Sequence, residues 1–151
     1  MRAFRLSDDR QQPDEIVDVL RQMEDKRADA MLHRYMSASI VDDRALLAAM
    51  YFGDRCEPRA LAILNRNFRR YPISSLQAGS IATIFGDCRY EPAARNLVEV
   101  VDAASMNLGG EAHVALTKIY PEAHIPDGRS PEDCAAAWRR YVASLKAKKG
   151  H

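Results

Sequence analysis

The stretch Ala45-Leu-Leu-Ala-Ala-Met-Tyr-Phe-Gly-Asp54 resembles a second stretch, Ala78-Gly-Ser-Ile-Ala-Thr-Ile-Phe-Gly-Asp87, which begins 33 positions later. Both copies carry alanines at matching positions and end in Phe-Gly-Asp. A proline follows shortly after each copy, at Pro58 and at Pro92. Because proline is favoured in the first turn of a helix, each copy predicts a helix, a turn and a second helix. The glycine predicts a stop in the left-handed region at the end of the first helix, as at Gly53.

A third and weaker copy begins at Glu111. It keeps Ala115 in step with Ala49 and Ala82, but it lacks Gly-Asp after Ile119. A period of this length is typical of stacked helical hairpins, because one short hairpin cannot bury its own apolar face. Alanines at these equivalent positions are small enough to allow neighbouring helices to approach closely.

The pattern Ala-x-x-x-Phe-Gly-Asp followed by Pro-Ala, best seen at 82–94, resembles the HEAT-repeat family, including its short bacterial members. The resemblance implies an all-α fold, a short α-solenoid of stacked antiparallel helix pairs whose second helices line the concave binding surface. It implies one domain over residues 1–151, with a divergent helix pair at 13–40, HEAT-like repeats at 43–120 and a closing cap helix at 131–148. Tetratricopeptide repeats have a similar period, but their Trp, Leu-Gly and Tyr signature is absent.

Composition also favours an all-α fold, because the chain has 23 Ala and 2 Thr, and alanine is the best helix former. Turn and cap signals predict the helix boundaries. The first helix starts near Pro13, Gly109 and Gly110 belong to a turn at 107–110, and Ser130 caps the last helix. The intervening helices are predicted at 43–52, 58–70, 75–86, 92–104 and 111–119.

Charge and hydropathy narrow the function classes. The chain has 22 Lys and Arg against 21 Asp and Glu, which argues against a surface built wholly for polyanions. Its 47% hydrophobic and 28% charged residues exclude wholesale disorder. No apolar run reaches the roughly 20 residues of a membrane span, and the N-terminus has no apolar signal region. We therefore expect a cytoplasmic protein without a membrane partner.

The second helix of each predicted pair supplies the candidate binding residues. In the first copy this helix is rich in arginine, whereas Glu99 and Asp102 stand in the second copy where Arg66 and Arg69 stand in the first. A surface that changes sign suits a protein of complementary charge better than a nucleic acid, whose phosphates require a continuously basic groove. The predicted partner-binding residues are Arg59, Arg66, Arg69, Arg70, Glu99 and Asp102.

The sequence thus predicts a non-enzymatic protein-binding module, acting as an adaptor, a scaffold or an inhibitor of the immunity type. One alternative is nucleic-acid binding, as in helical-repeat DNA-repair proteins, through the basic cluster at 59–70. Another is a solvated charged helix face with no partner, and a third is a small helical enzyme with an unrecognised site.

No motif predicts catalytic residues, a cofactor or a metal. The three cysteines, Cys56, Cys88 and Cys134, form no CxxC pair, and we expect reduced, partly buried thiols.

The two acid–histidine pairs, Glu111 with His113 and Glu122 with His124, are spaced poorly for chelation on a helix. We expect ordinary surface or hydrogen-bonded histidines there, and Trp138 as a core anchor of the last helix.

Overall fold

A computed structural model describes residues 26–36, 43–68, 75–101, 106–125 and 130–149. These ranges contain seven α-helices and two short 3-10 helices, and no strand. The all-α class predicted from the sequence is confirmed. The α-helices are α1 Lys26–Met36, α2 Asp43–Gly53, α3 Pro58–Asn67, α4 Ser75–Asp87, α5 Ala94–Val101, α6 Met106–Ile119 and α7 Pro131–Lys149. The 3-10 helix Glu91–Ala93 leads into α5, and Pro121–Ala123 follows α6.

Local sequence signals set several helix starts. Helix α3 begins at Pro58 and α7 at Pro131, as predicted, because proline has no backbone N–H to leave unsatisfied in the first turn. The hydroxyl of Ser130 accepts a hydrogen bond from the backbone N–H of Asp133 at 3.2 Å, which confirms the predicted cap. The helix predicted from Pro13 lies outside the described residues.

The turn after α2 and the turn after α4 share one hydrogen-bond pattern at the sequence offset of 33. The backbone N–H of Glu57 donates to the carbonyl of Phe52 at 3.1 Å, and that of Tyr90 donates to the carbonyl of Phe85 at 2.9 Å. In each turn a backbone N–H thereby donates to one of the last carbonyls of the preceding helix, which have no donor within the helix. The likeness read from Phe-Gly-Asp therefore extends to the backbone of both turns.

The predicted left-handed conformation at Gly53 is wrong. Gly53 is the last residue of α2, and the left-handed residue follows it at Cys56, with φ 56°, matched in the second turn by Arg89, with φ 48°. The glycine instead allows close packing, because a Cβ atom added there would lie 2.8 Å from Leu64 Cδ1 and 3.1 Å from Ile84 Cγ2. Side-chain contact, and not backbone freedom, explains this glycine.

The expectation of three reduced thiols is also wrong for two cysteines. Cys56 and Cys88 form a disulfide with a Cα–Cα distance of 5.4 Å, while Cys134 is buried and is not disulfide-bonded. The two bonded cysteines are 32 residues apart and have no recognisable spacing motif. Only the packing of two similar turns next to each other brings them together.

The predicted turn at 107–110 is wrong as well, since these residues lie within the first turns of α6. A Cβ atom added at Gly109 would lie 3.0 Å from the carbonyl oxygen of Val101. The glycine therefore permits α6 to pass close to the end of α5. This tertiary contact outweighs the weak helix propensity of the two glycines.

The core is one continuous cluster shared by the described helices. Helix α2 packs between α1 and α3, α6 packs along both α4 and α5, and α7 packs on α5, with the most extensive contact between α4 and α6. The largest fully buried side chains are Trp138, Phe85, Leu32, Leu46, Leu64, Ile81, Leu97 and Leu116. They come from all seven described α-helices, so no single hairpin holds its own core.

Candidate functional site

Two asparagines hold α3 beside α5, and these are the helices in which the candidate binding residues were predicted. The Nδ2 of Asn96 donates to both the backbone oxygen of Asn65, at 3.1 Å, and its side-chain Oδ1, at 2.8 Å. The Nδ2 of Asn65 in turn donates to the carbonyl of Pro92 at 3.3 Å. These contacts fix the lateral position of α5 on α3, so side chains on the two helices form one surface.

Arg59 and Arg66 are both exposed on α3. They are seven residues apart, close to two helical turns, and therefore project from the same side of the helix. The opposite side is buried through Ala60, Leu61 and Leu64. The predicted arginine stripe is therefore present for these two members, while Arg69, Arg70 and Asp102 lie outside the described residues.

Glu99 lies on α5, where it forms an ion pair with Arg95, a residue outside the predicted binding set. The Nε of Arg95 lies 3.5 Å from Oε1 of Glu99, and their side chains are 80% and 33% exposed. The spacing of four residues on one helix is the signal that could have identified this pair. Arg95 offsets the charge of Glu99. The described part of α5 is therefore less acidic than predicted for a surface whose charge changes from basic to acidic between the two copies.

The described parts of α3 and α5 thus present a surface formed by Arg59, Arg66, Arg95 and Glu99, which we call the α3/α5 surface. Three of its four charged groups are cationic. An exposed ion pair such as Arg95–Glu99 contributes little to stability, on the order of 0.2–1 kcal/mol. Its members can therefore exchange partners when another charged molecule approaches.

A second polar cluster, formed by His113, Cys134 and Trp138, is buried between α6 and α7. Nε1 of Trp138 donates to Nδ1 of His113 at 2.9 Å, and Sγ of Cys134 lies 3.0 Å from the same nitrogen. His113 is the buried polar residue of the described core, and Trp138 is fully buried. The predictions of a hydrogen-bonded histidine at 113 and of a core anchor at 138 are confirmed.

This cluster is poorly arranged for nucleophilic chemistry, although a cysteine and a histidine are adjacent. The indole N–H is a donor only, so Nδ1 of His113 must accept from Trp138. A base that activated Cys134 through Nδ1 would have to break this hydrogen bond. Cys134 and His113 are both 8% exposed, which also keeps a substrate away from the thiol. The geometry fits a packing contact between α6 and α7.

The two acid–histidine pairs have different contacts. Glu111 lies over Gly79 of the neighbouring helix, and Glu122 accepts a hydrogen bond from the hydroxyl of Tyr141 at 2.7 Å. That bond lowers the pKa of Glu122, while burial and the same bond raise the pKa of Tyr141 to about 12. Within the described ranges, no group of three or more His, Cys, Asp or Glu side chains is placed to hold a metal ion.

Two further findings concern membrane-spanning helices and similarity to known proteins. No helix in the described part of the chain combines the length and the apolar character that crossing a membrane requires. Comparison of the chain with protein-family models, with curated proteins and with solved structures finds no match.

Proposed function

We propose that the chain is a non-enzymatic protein-binding module, acting as an adaptor, a scaffold or an inhibitor, and that the α3/α5 surface receives the partner. The asparagine contacts between α3 and α5 carry this proposal, because they hold two helices bearing exposed arginines in fixed relative positions. A fixed array of charges recognises a complementary surface with less loss of conformational freedom than a flexible one.

The proposal includes a HEAT-like arrangement for the helix pairs α2–α3 and α4–α5. It is supported by the same turn hydrogen bonds at an offset of 33 residues and by left-handed residues at matching positions. It is also supported by the burial of Ala49 and Ala82 at equivalent positions, both fully inaccessible. In such a stack the second helices α3 and α5 form one side, which is the side proposed for binding.

The chemistry of the surface favours a partner with acidic groups. Arg59, Arg66 and Arg95 outnumber the one carboxylate, Glu99, and complementary charge accelerates association and selects the partner. Arginine also forms bidentate hydrogen bonds with carboxylates. The extra arginine on α5 is the observation that favours nucleic acid as a second candidate, since it extends the basic character from α3 to the next helix.

Charge reversal tests the proposal. The double variant Arg59→Glu/Arg66→Glu changes α3 alone, and Arg34→Glu/Arg140→Glu makes the same change of net charge at exposed arginines of α1 and α7. Affinity capture with the native chain identifies the partner, and binding of the purified pair is then measured by calorimetry. We expect the α3 variant to bind at least about tenfold more weakly and the control to bind like wild type, at equal thermal stability.

Equal affinity for both variants would contradict the assignment of the α3/α5 surface. The same proteins are titrated with duplex DNA at low salt. Salt-sensitive binding that only the α3 variant loses, with no protein partner captured, would favour the second candidate.

A further inference from the structure

The disulfide between Cys56 and Cys88 joins two turns and not two core elements. Cys56 lies two residues before Pro58, where α3 begins, and Cys88 lies three residues before Glu91, where the chain enters the 3-10 helix and then α5. The bond therefore ties the entrances of the two helices that form the α3/α5 surface.

The two bonded cysteines differ in residue exposure. Cys56 is exposed, whereas Cys88 is half-buried and packs against the core cluster. A thiolate that attacks a disulfide must reach one sulfur along the S–S axis, and the other sulfur then leaves. The exposed residue offers the sulfur that can be attacked, and the half-buried residue supplies the leaving group.

The two turns do not depend on the disulfide for their shape. Arg89 adopts the left-handed conformation of Cys56 at the equivalent position, although the bonded cysteine of its turn is Cys88, one residue earlier. The N–H of Glu57 and the N–H of Tyr90 form the same backbone hydrogen bonds in each turn, and neither bond involves a sulfur. Both turns should therefore keep their conformation when the bond is cut.

The helices around the bond are also held together independently. The ring of Phe68, after α3, contacts Phe85 of α4 edge to face, with centroids 5.7 Å apart. Gly53 of α2 packs directly on Ile84 of α4. With these contacts in place the two thiols stay close to each other after reduction, at a high effective concentration that favours renewed bond formation.

From these observations we propose that Cys56–Cys88 is a reversible thiol–disulfide exchange site that a dithiol reductant opens in the folded protein. One thiolate of the reductant attacks Sγ of Cys56, the S–S bond breaks, and its electron pair leaves on Sγ of Cys88, which takes up a proton. The second thiol of the reductant then loses its proton, attacks the mixed disulfide and releases Cys56 as a thiolate, which takes up a proton in turn. The protein gains two electrons and two protons, and the dithiol becomes a disulfide.

Reduction of the disulfide would remove the covalent link between the start of α3 and the start of α5. The hydrogen bond between Asn65 and Asn96 would remain as the direct polar contact between the helices. If these helices bind a partner, exchange at the cysteines would regulate that binding. This regulatory consequence rests on the proposed function, whereas the exchange itself does not, and the experiment measures exchange without a partner.

The experiment treats the full-length native protein with dithiothreitol in the absence of denaturant, followed by iodoacetamide and mass spectrometry. We expect alkylation of Cys56 and Cys88 only after reduction, an unmodified Cys134, and an unchanged helical circular dichroism spectrum. Glutathione disulfide should then restore the cross-link. In single variants, Cys88→Ser should react with glutathione disulfide about tenfold faster than Cys56→Ser, because its remaining thiol is the exposed one.

Two results would overturn the proposal. The first is a cross-link that withstands dithiothreitol until the protein is denatured, which would identify a purely structural disulfide. The second is oxidised native protein whose peptides contain no Cys56–Cys88 bond. The variant Cys134→Ser serves as a control and should exchange like wild type, since this buried cysteine has no part in the reaction.

Discussion

Substituting Gly86 by alanine tests a close contact between α4 and α6. Gly86 lies near the end of α4, and a Cβ atom placed on it would lie 2.8 Å from the Cα of Ala115 and 3.2 Å from its Cβ. It would also lie 3.3 Å from Cδ of Lys118, a flexible side chain that can move aside. The backbone of α6 at Ala115 cannot move locally, so α4 and α6 must separate or tilt.

Two opposing terms set the size of the effect. Alanine is favoured over glycine in a helix interior by about 1 kcal/mol, and by less near a helix end. Inserting a methyl group into a tightly packed contact costs about 1–3 kcal/mol. We therefore expect Gly86→Ala to lower the free energy of unfolding by about 1–2 kcal/mol. For a chain of this size that corresponds to a Tm lower by about 2–8 °C.

Gly110→Ala is the matched control. Gly110 lies within α6 and is exposed, and nothing lies within 4 Å of the position of an added Cβ atom. Only the propensity term remains, so this variant should gain about 0.5–1 kcal/mol. Urea unfolding followed by circular dichroism measures both changes. A Gly86→Ala protein as stable as the control variant would refute the close approach of α4 and α6.

Three further predictions concern other contacts. Replacing both cysteines of the disulfide by serine should lower the free energy of unfolding by about 3–4 kcal/mol in urea titrations, since the bond closes a loop of roughly 33 residues. Trp138→Phe should cost about 1–3 kcal/mol in the same titration because His113 loses a buried donor, and Trp138→Ala about 3–5 kcal/mol. The raised pKa of Tyr141 contributes stability that is complete below pH 10 and should be lost as the pH rises to about 12. The lowered pKa of Glu122 contributes stability that should be lost as the pH falls below 4.5. In Glu122→Gln, ultraviolet titration should show a tyrosine that ionises at lower pH.

The predictable part of the fold was encoded by local chemistry. Prolines and a serine cap determine where α3 and α7 begin, because these residues act through the backbone of their own first turn. The alanine-rich composition is sufficient to predict helices throughout. The conformations predicted for Gly53 and Gly109 are wrong because each glycine allows a contact with a residue of another helix. A pattern within one segment cannot distinguish a glycine that bends the chain from one that lets another helix approach.

The candidate site likewise combines features that depend on local sequence with features that depend on contacts between distant residues. The exposure of Arg59 and Arg66 could be predicted, since their spacing places both opposite the apolar side of α3. The amide contact between Asn65 and Asn96 could not, because it depends on how far α5 is shifted along α3. The disulfide is a third case, because its cysteines become neighbours only when two similar turns pack side by side.

The third copy departs from the packing of the first two. The residue of α4 that faces Gly53 is Ile84, whereas the residues of α6 that face the equivalent Gly86 are Ala115 and Lys118. At the offset of 33, the last two correspond to positions 82 and 85. Successive residues lie about 100° apart around a helix, so positions 82 and 85 both point in a different direction from position 84. Helix α6 is therefore rotated about its axis relative to its predecessor.

Exposure agrees with this rotation. Ala48 and Ile81 are fully buried, whereas Val114, at the equivalent position, is 50% exposed. The copy that lacks Gly-Asp is thus also the copy that presents a different side to its neighbour. A rotated helix does not offer the side on which a fourth copy would pack in the earlier manner. If α2–α3 and α4–α5 are the proposed repeats, their manner of packing ends at α6, and α7 makes its main contact with α5.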